Sequence, residues 1–338
     1  MSDKWTISVV GAGSWGTALA IVLAENNKKV FLWGHNHVNI RRMQESRENK
    51  KYLPGIRLPD NLHLTDDLKF CIRQSTIVLM VVPSHGLRDV FNELAVWLND
   101  GSYIISAVKG IENRSLETMT MIMENTLQQR FREKKCEIGV LSGPSFAREV
   151  AEKVPTAVTL GFKNIQTAKK LQNIFGNSFF RVYAGNDITG LEISASYKNI
   201  IAIAAGVCDG LGYGLNTRAA LITRGLTEMT RLGTAMGADV STFSGLSGLG
   251  DLILTCTGNL SRNRTVGLKL GQGKKLEEIV SEMKMVAEGI KTTKSIYEIR
   301  KKYEIETPIL DEVYKIIYKG KQCSLAVEEL LARELKVE

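Results

Sequence analysis

Three groups of residues in this chain have the types and spacing that chemistry would need. The first is Gly11-Ala12-Gly13-Ser14-Trp15-Gly16, a G-x-G-x-x-G that follows an apolar run and opens a helical pattern. In that setting the first glycine permits a tight turn, the second lets backbone approach a pyrophosphate, and the third lets helix and strand pack closely. The helix N-terminus behind it offers free N–H groups and a positive dipole end to phosphates. The second group is two lysines and an aspartate. Lys109 follows the run Tyr103–Val108, where an ammonium could hold a polar substrate oxygen, and a surface lysine in a turn is the other reading. Lys198 has Ser194, Ala195, Ile201 and Ala202 as its helical neighbours, all small or apolar. A lysine on such a face is desolvated, its pKa shifts down, and it suits proton transfer; a stem snorkelling to water is the other reading. Asp251 closes the series Gly245, Gly248 and Gly250 ahead of Leu252-Ile253-Leu254, either as a helix N-cap or as a working carboxylate. The third group is Ser261-Arg262-Asn263-Arg264. A serine N-cap, free N–H groups and a forked guanidinium can mount a phosphate dianion, and an ordinary capped helix with surface arginines is the alternative.

The segment after the second apolar run bears on which dinucleotide is bound. NAD-preferring sites place a carboxylate about 20 residues beyond the glycine motif, on the ribose 2′-hydroxyl. This chain reads Phe31-Leu32-Trp33-Gly34-His35-Asn36-His37 there, with Arg41-Arg42 following. The absence of a negative charge beside nearby cations favours NADP(H), with NAD(H) possible, and a merely polar loop is the other reading of these residues.

These residues need elements to position them. The first half alternates short apolar runs with amphipathic stretches, which predicts βα units and a mostly parallel, Rossmann-like sheet. Strands are expected at Thr6–Val10, Lys29–Trp33, Ile77–Val82, Tyr103–Val108, Ile138–Leu141 and Ala157–Leu160, each followed by a segment long enough for a right-handed crossover. Helices are expected at Ser14–Asn26, His85–Leu98 and Leu116–Phe131. Beyond about residue 185 only helical patterns follow: Ile188–Val207, Leu215–Gly237, Arg264–Leu270, Leu276–Met283, Gly289–Tyr303, Ile309–Tyr318 and Ser324–Leu335. The fold class is therefore α/β, with a dinucleotide-binding domain over 1–187, an all-helical substrate domain over 188–338, and ligands expected in the cleft between them. Loops leaving strand ends, Pro83-Ser84-His85 and Ser142-Gly143-Pro144-Ser145 among them, belong to the same expectation.

Composition removes other classes. With 44% apolar and 24% charged residues among 338, the chain reads as globular, and its net charge of +8 is scattered rather than gathered in basic stripes. Nucleic-acid binding is not expected. The five cysteines (Cys71, Cys136, Cys208, Cys256, Cys323) are widely spaced, and His35, His37, His63 and His85 lack ligand spacing, so neither a disulfide framework nor a metal site is expected. The N-terminus has no signal-peptide core, and the longest apolar run, Ile200–Cys208, is too short to span a bilayer; a cytoplasmic protein without membrane insertion is expected.

Taken together, the motifs resemble the glycerol-3-phosphate dehydrogenase (NAD(P)+) family over essentially the whole chain. The carriers are Gly11 to Ala20, Val82-Pro83-Ser84-His85, Ser142 to Ala147, Lys198-Asn199, Gly248 to Leu252, Thr255-Cys256-Thr257, Ser261 to Arg264, and Val286-Ala287-Glu288-Gly289. The resemblance implies reversible reduction of dihydroxyacetone phosphate to sn-glycerol 3-phosphate for phospholipid synthesis, by a homodimer. It implies Lys198 as proton donor and acceptor, with Lys109 and Asp251 on the polyol end and Thr255 near the reacting carbons. Gly143 and Ser145 would line the substrate pocket, and Ser261, Arg262 and Asn263 would take the phosphate. Gly11, Gly13, Ser14, Trp15, Gly16, His35, Lys109, Ala147, Arg262, Val286 and Glu288 match the cofactor contacts, with Arg262 where substrate and cofactor meet. A 3-hydroxyacid or 6-phosphogluconate dehydrogenase would also use a lysine at Lys198, but not the segments Ser261–Arg264 and Gly248–Leu252. A UDP-glucose dehydrogenase would need a reactive cysteine, and Cys256 has no base beside it in sequence. A dinucleotide-sensing regulator would have no reason to keep Lys109, Lys198 and Asp251 together.

Overall fold

The computed structural model describes residues 5–26, 29–283 and 287–334. These fall into two compact units: one holds the residues up to Val108 with Thr118–Leu191, the other Lys109–Glu117 with the residues from Glu192 onward.

The first unit is built on one eight-stranded sheet. In chain order its elements are β1 (Ile7–Val10), α1 (Ser14–Asn26), β2 (Val30–Trp33), α2 (His37–Ser46), β3 (Leu62–Thr65), α3 (Leu68–Gln74), β4 (Ile77–Met80), α4 (Leu87–Leu94), β5 (Tyr103–Ser106), α5 (Met119–Arg130), β6 (Glu137–Ser142), α6 (Ala147–Ala151), β7 (Thr156–Phe162), α7 (Ile165–Phe175) and β8 (Phe180–Gly185). The strand order is β3-β2-β1-β4-β5-β6-β7-β8. The chain reverses direction across the sheet between β1 and β4, which pair in parallel with Val10 opposite Met80. Ligands of such sheets sit beyond the carboxyl ends of the strands at that reversal. β1, β2 and β4 are buried along their whole length. Continuous apolar runs are what a parallel sheet covered on both faces requires.

The expected α/β class with a mostly parallel sheet is present, and the differences are local. The runs at Ile77 and Tyr103 end as strands at Met80 and Ser106, two residues early. β3 and β8 were not foreseen; both lie at sheet edges and bury only alternate residues, so their apolar signal is short. The expected parallel crossover into β7 is corrected: β7 runs antiparallel to β6, with Gly139 opposite Phe162. The connection carries only the five-residue α6.

The second unit is helical: α8 (Ile188–Gly210), α9 (Leu215–Ala235), α10 (Val240–Phe243), α11 (Asp251–Thr257), α12 (Arg262–Gly271), α13 (Leu276–Glu282), α14 (Glu288–Lys302), α15 (Pro308–Lys319) and α16 (Cys323–Leu331). The last helix, expected to run to Leu335, is corrected: it ends at Leu331, with Ala332 to Glu334 outside it, and Leu335 itself lies beyond the described residues. α10 and α11 were not foreseen, being too short to show a 3.6 period. α8 is buried on every side from Ile193 to Ala205, packing on Met229, Leu232, Phe243, Leu252, Ile296 and Leu310. A helix apolar all round must sit at the centre of its layer. The segment 109–117 docks here through Ile111, whose carbonyl accepts from the Ser295 hydroxyl at 3.2 Å.

A buried carboxylate ties three of these helices. Glu228 of α9 accepts the N–H of Ile309 at 2.7 Å and of Leu310 at 3.2 Å, two of the orphan donors in the first turn of α15. It also accepts the hydroxyl of Tyr197 on α8 at 2.9 Å. Burial pushes the Glu228 carboxyl up to about 7. We predict that Glu228→Leu leaves all three donors unpaired. Each orphaned buried donor costs about 1–3 kcal/mol, so urea denaturation should register a loss of about 3 kcal/mol or more. A loss below about 1 kcal/mol would mean that water replaces the carboxylate.

Candidate functional site

Within the helical unit, four of the sequence candidates converge. Asp251 is the first residue of α11 and follows a π-helical turn, Leu246–Gly250. That turn lies so close on Phe243 that a Cβ at Gly248 would stand 2.1 Å from its carbonyl oxygen. The wide, glycine-lined turn aims Asp251 inward, where it is 1% exposed. Its Oδ2 accepts from Lys109 Nζ at 3.0 Å, and its Oδ1 forms an ion pair with Lys198 Nζ. The N-cap reading of Asp251 is thereby corrected: the carboxylate serves two ammonium groups, not the helix end.

Lys198 is 4% exposed. Its Nζ donates to Thr255 Oγ1 at 3.0 Å, and that hydroxyl in turn donates to the Asp251 carbonyl at 2.6 Å, one turn back. The snorkelling reading is corrected as well, since the ammonium ends on a carboxylate and a hydroxyl instead of in water. Burial pulls the Lys198 ammonium down to about 7; Asp251 opposes that shift and the positive Lys109 adds to it. Among the described residues Asp251 and Thr255 are its hydrogen-bond partners. One of its three N–H donors is therefore left for a ligand oxygen. A lysine that titrates near neutrality, held by a carboxylate that cannot move, can give and take a proton.

Next along the same unit lies the Ser261–Arg264 segment. Ser261 caps α12 by accepting the N–H of Arg264 at 3.2 Å. Desolvation holds the Arg262 guanidinium below its ordinary pKa, and the nearby Glu288 carboxylate opposes that shift. Asn263 is buried; its Nδ2 donates to Asn199 Oδ1 at 2.9 Å and its Oδ1 accepts from Gly289 N at 3.0 Å. One N–H of that amide is left for a ligand. Arg264 goes elsewhere, to Asp209 Oδ2 at 2.7 Å and Asn259 Oδ1 at 3.2 Å. Sequence reading named Asn199 only within a motif and missed Asp209 as the partner of Arg264. Neither has a local signal, because both partners lie more than fifty residues away.

In the sheet unit the glycine loop has the shape its spacing predicts. Gly11 has φ +126°, and a Cβ there would stand 2.5 Å from the Val81 carbonyl. A Cβ on Gly16 would stand 1.8 Å from the Gly11 carbonyl. Gly13 has nothing within 4 Å, so its backbone faces open space at the N-terminus of α1. The buried Trp15 Nε1 has no hydrogen-bond partner among the described residues. Open backbone at a helix start beside an orphaned donor is a cradle that fits a dinucleotide pyrophosphate. Asn49, fully buried, fastens this loop through Ala12 O at 3.0 Å and Thr17 Oγ1 at 2.8 Å; nothing in the sequence marked it. Ser14 donates its hydroxyl to Tyr52 O at 2.6 Å. His35 is exposed in the loop between β2 and α2, a helix with no acidic residue in its first turn and with Arg41 and Arg42 exposed. Gly143 has φ +141° after β6, Ser145 donates to its carbonyl at 2.9 Å, and Ala147 opens α6. Val286 lies outside the described residues. Cys256 is buried, and burial pushes its thiol up to about 12, which removes it as a nucleophile. Among the described residues no group of His, Cys, Asp and Glu could hold a metal ion.

Comparison with known proteins follows this geometry. The chain matches the family model of the NAD-dependent glycerol-3-phosphate dehydrogenase N-terminus over residues 6–168 and that of the C-terminus over 187–328. It is 60% identical over 333 residues to a glycerol-3-phosphate dehydrogenase (NAD(P)+) of Desulfotalea psychrophila, covering 98% of each chain. It is 50% identical to one of a Geobacter species, covering 100% of this chain and 99% of the relative. The crystal structure of glycerol-3-phosphate dehydrogenase from Coxiella burnetii superposes with a TM-score of 0.92 at 40% identity, over 98% of this chain and 99% of the other. The resemblance read from the motifs is thus borne out.

The geometry predicts that Asp251 is the costliest of the buried charges to remove. Asp251→Ala leaves two ammonium groups facing each other, which should cost about 3 kcal/mol or more in denaturation. A cycle with Lys198→Met should show coupling well above 0.5 kcal/mol. Additive losses would mean the pair is not a unit.

Proposed function

We propose that this chain, which belongs to the NAD-dependent glycerol-3-phosphate dehydrogenase family, reduces dihydroxyacetone phosphate to sn-glycerol 3-phosphate with NADPH or NADH. That product supplies glycerophospholipid synthesis, and the enzyme works as a cytoplasmic homodimer. Among the described residues no helix is long and apolar enough to cross a membrane. The observation that carries the reading is the buried Lys198 ammonium, bound to Asp251 and Thr255 and pulled to about 7.

The nicotinamide, when bound, supplies the hydride for the ketone carbon. Lys198 Nζ gives its proton to the ketone oxygen as that oxygen gains negative charge; in the reverse direction the neutral amine takes the proton back. Asp251 keeps the lysine in place and, with Lys109, orients the polyol end, so that the reacting atoms are held close to their reactive arrangement. Thr255 fixes the direction of the Lys198 stem. Ser261, Arg262 and Asn263 bind the phosphate, and remote binding there sharpens alignment at the carbonyl. Gly143 and Ser145 take part in substrate binding. Gly11, Gly13, Ser14, Trp15, Gly16, His35, Lys109, Ala147, Arg262 and Glu288 hold the cofactor. The exposed His35 and the arginines of α2, without a carboxylate at the end of β2, support a preference for NADP(H).

Lys198→Met keeps the apolar stem and removes the proton. With saturating dihydroxyacetone phosphate, kcat should fall at least about a hundredfold while NADPH affinity by fluorescence titration is retained; retained kcat would refute the role. In the wild type, reduction needs the ammonium and oxidation the free amine. The reduction rate should therefore fall as pH rises through about 7, and the oxidation rate should rise over the same window.

His35→Asp should weaken NADPH use relative to NADH by placing a negative charge near the 2′-phosphate. A wild type with strong NADH preference, unaltered by the substitution, would sink this assignment.

A further inference from the structure

Helices α8 and α12 touch backbone to backbone. A Cβ on Gly267 would stand 1.9 Å from the carbonyl oxygen of Ile203, and one on Gly271 would stand 2.4 Å from that of Val207. From the other side, a Cβ on Gly206 would stand 2.0 Å from Arg264 O, and one on Gly210 would stand 2.3 Å from Leu268 O. Each helix thus presents two glycines four residues apart, one turn on the same face. Packed helices ordinarily keep their axes about 8–10 Å apart, and side chains at the contact set that distance. Here no side chain intervenes on either helix.

The crossing also has a register. Asn199 meets Asn263, Ile203 meets Gly267 and Val207 meets Gly271, each 64 positions apart, while Gly206 meets Arg264 and Gly210 meets Leu268, each 58 apart. The helices therefore run in the same direction from a shared level. Lys198 precedes Asn199 on α8, and Arg262, the first residue of α12, precedes Asn263. The Asn199–Asn263 amide bond locks the level, and Gly289 N closes on Asn263 from α14.

We propose that this four-glycine crossing is the ruler for substrate length: it sets the separation between the proton-donating Lys198 and the phosphate-binding start of α12. Gly206, Gly210, Gly267 and Gly271 act as positioning residues, selecting a ketone one carbon away from its phosphate ester. The proposal rests on the function given above. Adding a methyl at the crossing opens it by roughly 1 Å, to ordinary van der Waals contact. The proton donor and the phosphate mount then separate while both remain chemically intact.

The test uses full-length Gly206→Ala and Gly271→Ala proteins with NADPH. Two substrates are compared: dihydroxyacetone phosphate, and its homologue with one more methylene between ketone and phosphate. A misplacement near 1 Å should lower kcat/KM for dihydroxyacetone phosphate by about a hundredfold. The longer ketone should lose much less, so its relative kcat/KM rises about tenfold or more. NADPH affinity should stay as in the wild type. Parallel loss on both substrates, or unchanged kinetics in a folded variant, overturns the ruler. Gly271→Ala makes the smaller intrusion and decides if Gly206→Ala does not fold; failure of both to fold also overturns it, making the crossing a requirement of the fold alone. A wild type inactive on dihydroxyacetone phosphate would instead refute the function, and the ruler with it.

Discussion

The Asp251 carboxylate holds two ammonium groups within reach of one another, and that of Lys198 is buried. Removing an ammonium from water is costly, and two of them within reach of one another repel. A buried carboxylate with one oxygen on each lysine offsets both terms. The remaining architecture of the helical unit follows from keeping it there. A π-helical turn aims it inward, a central helix brings Lys198, and the strand-end segment 109–117 leaves its sequence neighbours to bring Lys109. The balance leaves Lys198 near neutrality: burial pulls it down, and Asp251 stops the fall at a value where both protonation states are populated.

The Ser261–Arg264 segment depends on that same helix by a different interaction. Hydrophobic side chains fill gaps and tolerate repacking, so they fix distances loosely. Backbone against backbone has no such slack, because a carbonyl oxygen cannot turn aside. The contacts of α8 with α12 are of this second kind, and one buried amide pair sets their level. The Lys198 ion pair and the Ser261–Arg264 segment thus share one rigid element. The same economy appears in the sheet unit, where Asn49 fastens a loop whose two outer glycines admit no side chain.

Much of this was legible in the sequence, and for identifiable reasons. The short apolar run Ile77–Met80 reads as a buried parallel strand in a chain of alternating strands and helices, and the 3.6 period of Leu215–Ala235 reads as a helix. The G-x-G-x-x-G carries its own geometry, since the clash of a Cβ at Gly11 or Gly16 is with backbone a few residues or one strand away. Lys198 stood out because its neighbours one turn away are small or apolar. These are local facts, and a local code can state them.

What only the tertiary structure decided is which distant groups meet. Lys109 and Asp251 are 142 positions apart, and no periodicity indicates that they share a carboxylate. The choice between a capping and a working aspartate, and between a snorkelling and a buried lysine, turned on burial, which depends on the whole unit. Arg264 looked equal to Arg262 until Asp209 claimed it. The direction of β7 was likewise not in its own residues; it shows only in the antiparallel pairing with β6. Sequence by itself therefore determined the elements and the residue types able to do chemistry, because backbone propensity and apolar period act over a few residues. Tertiary structure determined the charge state and the distances, because desolvation and contact act through space.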